Sequence, residues 1–183
     1  MRQRLILTAP AGLSAVRLSA ALEAGDVAAV VIAPGDGAAA LVRAAQEAGA
    51  AALVAQDTWP APYGADGLHL PADGVSPLKA RPEGSVCGAV AGDRHTAMMA
   101  GEAGADYVWF EGAGDETACA LASWWQATFE VPAVVAGPAA SLAAMIVSRA
   151  EFVAMVDVFD GQVDAVALVA AANAALDAAQ EDA

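Results

Sequence analysis

The chain has 183 residues, of which 58% are hydrophobic and 16% are charged. This composition excludes a disordered or fibrous protein and favours one folded domain that spans residues 1–183. The formal net charge of -14, with only 8 Lys and Arg, argues against nucleic acid as a partner, because phosphates need a clustered basic surface. No apolar run reaches about 18 residues, so we expect no membrane-spanning helix.

Short apolar runs alternate along the chain with small-residue turns and helical patterns. Ser14 and Asp93 are placed to be N-caps of the first and third helices, and Gly25 to be the C′ residue of the first. The predicted strands cover 4–8, 27–33, 51–55, 67–70, 86–90, 106–110, 132–136 and 152–156. The predicted helices cover 14–24, 38–48, 94–103, 116–128, 141–148 and 163–179.

Two connections are too short or too rich in proline for an ordinary crossover helix. Residues 56–63 hold at most one turn, with Trp59 as an anchor of the loop, and residues 71–84 hold one turn near 77–80. Eight strands joined by right-handed crossovers close most naturally into a (β/α)8 TIM barrel, here a short one with truncated connections after strands three and four. A doubly wound open sheet is the alternative, but no GxGxxG turn follows the first strand.

The Cys and His side chains do not match the sequence patterns of the commonest metal, disulfide and hydrolytic sites. Cys87 and Cys119 lack the spacing of a zinc site or a disulfide framework, so we expect buried reduced thiols. His69 and His95 are the only histidines and no nucleophile motif accompanies them, so neither a hydrolytic triad nor a metal hydrolase is favoured. The first apolar run is too short for a signal peptide, and we interpret it as the first strand of a cytoplasmic protein.

Three stretches occur in an informative order: LVAQD at 53–57, GADGLHL at 64–70 with Asp73 shortly after, and GADYV at 104–108. In this order and spacing they resemble the thiamine phosphate synthase/TenI family, from about Ala44 to about Phe159. The resemblance implies a (β/α)8 barrel and a role in thiamine biosynthesis. Its enzymes are transferases that join a hydroxymethylpyrimidine diphosphate to a thiazole phosphate, with magnesium holding the diphosphate.

The same resemblance implies a small-molecule site at the C-terminal rim of the barrel. Asp57 and Asp73 match the family's two aspartates and would bind Mg2+, a hard cation that prefers carboxylate oxygens. Gln56 stands where the family has Asn, and His69 matches the His of its fourth strand. The alternative for both aspartates is a turn role, which is usual beside Pro and Gly.

Several phosphate-binding positions depart from the family. Residues 31–35 (VIAPG) replace a Gln-x-Arg-x-Lys run, and Val90 replaces a serine. Gly137 and Pro138 replace paired glycines after strand seven, and Asp157 replaces the serine after strand eight. A carboxylate about 4 Å from a phosphate is repelled by roughly 4 kcal/mol at an effective dielectric near 20, so no phosphate is expected there unless Asp157 points away.

Trp109 stands where the family has a glycine, and it either fills the mouth as a core residue or offers a stacking face to a neutral aromatic ring. Three hypotheses about function remain open. The first is a thiamine phosphate synthase-like protein that is weak or inactive as an enzyme. The second is a non-catalytic binding or regulatory barrel that recognises a less charged heteroaromatic ligand through His69, Trp109 and Asp157.

The charge of the rim separates these hypotheses, because a diphosphate-binding enzyme needs cations there. Lys79, Arg81 and Arg94 are the nearest basic residues in sequence, and two of them beside Asp57 and Asp73 would favour an active enzyme. A structural or partner-binding remnant is a third hypothesis. A homo-oligomer is compatible with the sequence, which does not specify one.

Overall fold

Eight parallel strands close into a barrel in the order of the sequence. The structure is a computed structural model that describes residues 2–71, 75–111, 115–161 and 163–181. The predicted TIM barrel is confirmed, and the open-sheet alternative is wrong because β1 pairs with both β2 and β8. The strands are β1 Arg4–Ala9, β2 Val27–Ile32, β3 Ala51–Ala55, β4 Gly67–Leu70, β5 Val86–Ala91, β6 Tyr107–Phe110, β7 Ala133–Gly137 and β8 Phe152–Met155.

Six α-helices in the described residues cover the outside of the barrel. One follows each strand except β3 and β4. Their bounds are α1 Ala15–Leu22, α2 Ala38–Glu47, α3 Arg94–Glu102, α4 Asp115–Gln126, α5 Leu142–Val147 and α6 Ala165–Glu181. No helix in these ranges is long and apolar enough to cross a membrane.

Short 3₁₀ turns replace helices after β3 and β4, as the proline-rich connections predicted. They cover Pro62–Gly64 and Ser76–Ala80. The indole Nε1 of Trp59 donates a hydrogen bond of 2.9 Å to the carbonyl of Pro77, which ties the two connections together. Trp59 is therefore the loop anchor that the sequence predicts.

The predicted N-caps are confirmed, but the predicted role of Gly25 is wrong. The Ser14 hydroxyl accepts from the backbone N–H of Arg17, and Asp93 forms a capping box at the start of α3. Helix α1 instead has its C-cap at Glu23, and the φ of Gly25 is not left-handed.

Gly25 is needed for a close approach of α6. A Cβ on Gly25 would lie 2.2 Å from Nδ2 of Asn173. The Asn173 amide oxygen accepts from the backbone N–H of Asp26 at 3.0 Å, and its Nδ2 donates to the carbonyl of Val169. The last helix is thus fastened to the turn before β2 by one buried amide.

The core has two parts, one between strands and helices and one inside the barrel. Cys87 is fully buried in the outer part, and burial raises the pKa of its thiol to about 11. The inner part includes Tyr107 and Trp109. Gly88 makes room for Tyr107, because a Cβ there would lie 1.9 Å from the Tyr107 ring.

Candidate ligand site at the carboxyl end of the barrel

The sequence-predicted site residues lie on or just after the carboxyl ends of the strands, which meet at one end of a parallel barrel. We call it the carboxyl end and its opposite the amino end. Gln56 follows β3, His69 and Trp109 lie in β4 and β6, Gly137 ends β7, and Asp157 follows β8. Asp73, the second predicted magnesium ligand, lies outside the described residues.

His69 and Tyr107 meet inside the barrel across a glycine. His69 pairs with Gly88 on β5, and Gly88 pairs in turn with Tyr107 on β6. Because Gly88 has no side chain, Nδ1 of His69 and the Tyr107 hydroxyl reach 2.8 Å. This pair links three neighbouring strands in the lumen.

Both members of the pair are uncharged at neutral pH. His69 is only 8% exposed, and burial lowers the pKa of its imidazole to about 4. Burial also raises the pKa of the Tyr107 phenol well above its ordinary value. The hydrogen bond therefore joins two neutral groups, and the imidazole tautomer decides which of them donates.

Trp109 fills the lumen beside this pair. Its ring meets that of His69 edge-on, with centroids 4.7 Å apart, and its Nε1 donates to a carboxylate oxygen of Glu111 at 2.9 Å. The side chain is 1% exposed. In this structure the indole has a packing role, and neither of its faces is open for stacking on a ligand.

Gln56 and Asp57 make their described contacts within their own loop. The Gln56 amide donates to the carbonyl of Thr58, and the Asp57 carboxylate accepts from the Thr58 hydroxyl at 3.0 Å. Asp57 is exposed. Within the described ranges, no group of three or more His, Cys, Asp and Glu side chains is arranged to hold a metal ion, so magnesium stays a prediction.

Asp157 binds the turn after β7. Its Oδ1 accepts from the backbone N–H of Ala139 at 2.7 Å, at the start of the 3₁₀ turn Ala139–Ser141. Gly137 is buried, and its carbonyl accepts from the backbone N–H of Val156. The Asp157 carboxylate therefore points toward the turn, and the donor that an external anion could use there already binds an internal one.

The two arginines that the sequence offered as rim cations are engaged elsewhere. Arg81 forms an ion pair with Asp106, whose carboxylate also accepts from the backbone N–H of Cys87 near the start of β5. This contact lies at the amino end. The Arg94 guanidinium lies 4.6 Å from the ring centroid of Trp124 on the outer helix α4. Lys79 is exposed in the 3₁₀ turn Ser76–Ala80.

All eight Lys and Arg of the chain lie within the described residues, and the other five lie on outer helices or at the amino end. Arg2 and Arg4 pair with Asp26 beside the start of β1, and Arg2 also pairs with Asp177 of α6. The remaining three are on outer helices or precede a strand: Arg17 in α1, Arg43 in α2 and Arg149 before β8.

Carboxylates dominate the carboxyl end instead. Five strands are followed within four residues by a described Asp or Glu, whereas Arg94 is the one basic residue of the whole sequence in such a position. The carboxylates are Asp36, Asp57, Asp93, Glu111 and Asp157. Like charges repel, so these carboxylates oppose the approach of an anion to this end of the barrel.

The fold and this rim define a (β/α)8 barrel with a polar, acidic carboxyl end. No family model matches the chain. The chain is similar to a thiamine-phosphate synthase of Erythrobacter litoralis, with 40% identity over 90 residues. That alignment covers 40% of this chain and 41% of the relative, so the chain matches about two fifths of the length of that curated relative.

Solved structures show the same fold at low identity. A thiamine phosphate pyrophosphorylase from Pyrococcus furiosus has a TM-score of 0.79 at 15% identity over 96% of both chains. Orotidine 5'-monophosphate decarboxylase from Methanocaldococcus jannaschii has a TM-score of 0.69 at 13% identity, covering 96% of this chain and 99% of that one. The resemblance to thiamine phosphate synthases that the sequence indicates is thus confirmed.

Sequence reasoning missed Tyr107, Gly88 and Glu111 as neighbours of the predicted residues. The period-2 alternation of a strand puts Tyr107 and Trp109 on one face. That signal would have shown that the two share the lumen. The contact with His69 needs the register of three strands, which no local pattern carries.

Proposed function

We propose that this protein is a thiamine phosphate synthase-like barrel of thiamine metabolism that has lost most or all of the transferase reaction. It binds a heteroaromatic ligand with little or no negative charge at the carboxyl end. One observation carries this proposal. Seven of the eight basic residues of the chain form an ion pair or a cation–π contact, lie on an outer helix, or lie at the amino end, and Lys79 is the exception.

A diphosphate needs several cationic or backbone donors, because its charges are strongly hydrated in water. Here it would approach Asp57, Glu111 and Asp157 instead. Each carboxylate about 4 Å from a phosphate charge opposes binding by roughly 4 kcal/mol at an effective dielectric near 20. One flexible lysine is too little compensation for such a rim.

Asp157 supports the same conclusion for the second substrate of the family reaction, the thiazole phosphate. Its carboxylate accepts the Ala139 N–H at 2.7 Å. A phosphate could use that donor only by displacing an internal anion and leaving Asp157 nearby. The corresponding alcohol, which carries no phosphate, avoids both costs.

Weak transferase activity is the second candidate, and the 40% identical thiamine-phosphate synthase of E. litoralis favours it. The exposed Asp57 carboxylate is chemically suited to Mg2+. The described residues supply no cluster that would complete such a site, so we derive no step through the metal. Cytoplasmic location and self-association also stay predictions.

The first experiment incubates the purified protein with hydroxymethylpyrimidine diphosphate, thiazole phosphate and Mg2+ and measures thiamine phosphate. We expect no formation at an ordinary enzyme rate. Formation at such a rate, abolished by Asp73→Ala, would refute the loss of catalysis.

The second experiment compares thermal stabilisation by the thiazole alcohol and by its phosphate. We expect stabilisation by the alcohol alone in the natural sequence and a gain of stabilisation by the phosphate in Asp157→Asn. Asp160→Asn is the matched control, because Asp160 is an exposed carboxylate three residues further on. Equal stabilisation by both ligands in the unmodified protein would contradict the role of Asp157.

A further inference from the structure

A cleft lies at the amino end of the barrel, away from the candidate ligand site, and we call it the amino-end cleft. Its volume is about 780 Å³, within the range of roughly 300–1,000 Å³ typical of small-molecule sites. Gln3 and Glu151 on its wall immediately precede β1 and β8, which places it at the amino end. The ends of α4, α5 and α6 form the rest of the wall.

Arg149 on this wall has a backbone conformation that disfavours its residue type. It follows Ser148, the C-cap of α5, and its φ is 58°, in the left-handed region where glycine or asparagine is usual. For another residue that conformation costs about 1–2 kcal/mol. Strained residues cluster at functional sites, so Arg149 is a candidate for one.

The side chain of Arg149 is exposed and forms no ion pair with any described carboxylate. Acidic residues outnumber basic ones by 22 to 8 in this chain. Ion-pair partners are therefore abundant, and Arg2, Arg4 and Arg81 have them. The N–H donors of the Arg149 guanidinium are therefore available to a ligand in the amino-end cleft.

The rest of the wall combines apolar surface with polar groups that are partly engaged. Val147 is 79% exposed, and the half-buried Ile146 extends the apolar surface. Glu151 carries the one acidic side chain on the wall, and its carboxylate accepts from the backbone N–H of Ala133 at 2.8 Å. That hydrogen bond orients the carboxylate toward β7 and satisfies one of its acceptor positions.

From these features we propose that the amino-end cleft binds a small amphipathic carboxylate. The carboxylate pairs with the Arg149 guanidinium, a geometry that allows two parallel hydrogen bonds. The apolar body of the ligand covers Ile146 and Val147. This site is independent of the function proposed for the carboxyl end.

A different cleft, of about 520 Å³, lies between α1 and α2 and gives a useful contrast to the amino-end cleft. It also contains an arginine, Arg43, but Glu23 and Glu47 share its wall. A carboxylate ligand there would meet two like charges for one cation. The amino-end cleft is therefore the better site for such a ligand, and Arg43 supplies a control residue.

The test uses indole-3-acetate and its uncharged amide as probes, titrated into the full-length protein by calorimetry. We expect the acid to bind at least about tenfold more tightly than the amide, the factor that a charged hydrogen bond provides. Arg149→Asn removes the cation and suits the left-handed backbone, so it should fold at least as well and lose that tenfold difference. Arg43→Gln should change neither affinity.

Three results would overturn the proposal. They are no saturable binding of the acid below about 10 mM, equal affinities for acid and amide, and unchanged acid binding in Arg149→Asn. Melting temperatures of both variants accompany the titrations. Loss of binding with an unchanged melting temperature supports the site, whereas the same loss in Arg43→Gln refutes it.

Discussion

Replacing His69 with glutamine should reduce the decrease in the free energy of unfolding that this protein undergoes between neutral and mildly acidic pH. Burial lowers the pKa of His69 from its ordinary 6.5 to about 4 in the folded state. The unfolded chain therefore binds a proton between these two values while the folded protein does not. The contribution of His69 to stability is complete above about pH 6.5 and is lost as the pH falls toward 4.

The size of the effect follows from the two pKa values. Each pKa unit between the states corresponds to about 1.4 kcal/mol, so the full difference corresponds to about 3 kcal/mol at pH 4. At pH 5, His69 is protonated in most unfolded chains but in few folded ones. The contribution of His69 to the free energy of unfolding is therefore about 2 kcal/mol lower than at neutral pH. This is a large share of the stability of an ordinary domain.

Urea unfolding at pH 7.5 and pH 5 measures this loss. His69→Gln keeps a partner for the Tyr107 hydroxyl and removes the titration. The variant should be less stable at pH 7.5, because a smaller side chain leaves part of the lumen unfilled. On acidification the unmodified protein should lose about 2 kcal/mol more than the variant, so the two stabilities converge.

The control for this experiment is His95→Gln. His95 is exposed on α3, so this variant should keep the pH profile of the unmodified protein. Parallel profiles for His69→Gln and the unmodified protein would refute the reasoning. They would mean that the folded protein binds a proton at His69 as easily as the unfolded chain, and hence that water reaches the ring.

Two glycine substitutions test the close approaches that position the barrel. Gly88→Ala should destabilise the protein by about 3 kcal/mol in urea unfolding, because its Cβ would lie 1.9 Å from the Tyr107 ring inside the lumen. Gly25→Ala should cost about 2 kcal/mol, since Asn173 must move and lose its bond to the Asp26 N–H. Gly92→Ala, with no atom within 4 Å of the added Cβ, should stay within about 0.5 kcal/mol, and an equal loss there would contradict both predictions.

The strands and helices could be predicted because each is specified locally. An apolar run between small-residue turns defines a buried parallel strand, and the capping oxygens of Ser14 and Asp93 define helix starts. Every predicted strand is present, with bounds that shift by one residue at most. Closure of the barrel then follows from the number of crossovers.

The contacts of the site could not be predicted, because they join residues that are distant in sequence. The bond between His69 and Tyr107 spans 38 residues and depends on the missing side chain at Gly88. The bond from the Ala139 N–H to Asp157 joins loops after two different strands. Sequence reasoning could list Asp157 as an obstacle to phosphate, but only the three-dimensional arrangement gives it a partner.

The positions of the ion-paired arginines separate the contacts that stabilise this barrel from the charge of its rim. Arg2 and Arg4 join β1 to Asp26 and α6, and Arg81 joins the β4–β5 connection to Asp106. All four of these ion pairs lie at the amino end, where barrel side chains contribute to stability rather than chemistry. Substitutions at the carboxyl end would not remove any of these ion-paired residues. The acidic rim is therefore not required by these stabilising contacts, which is consistent with the ligand-selecting role that we propose for it.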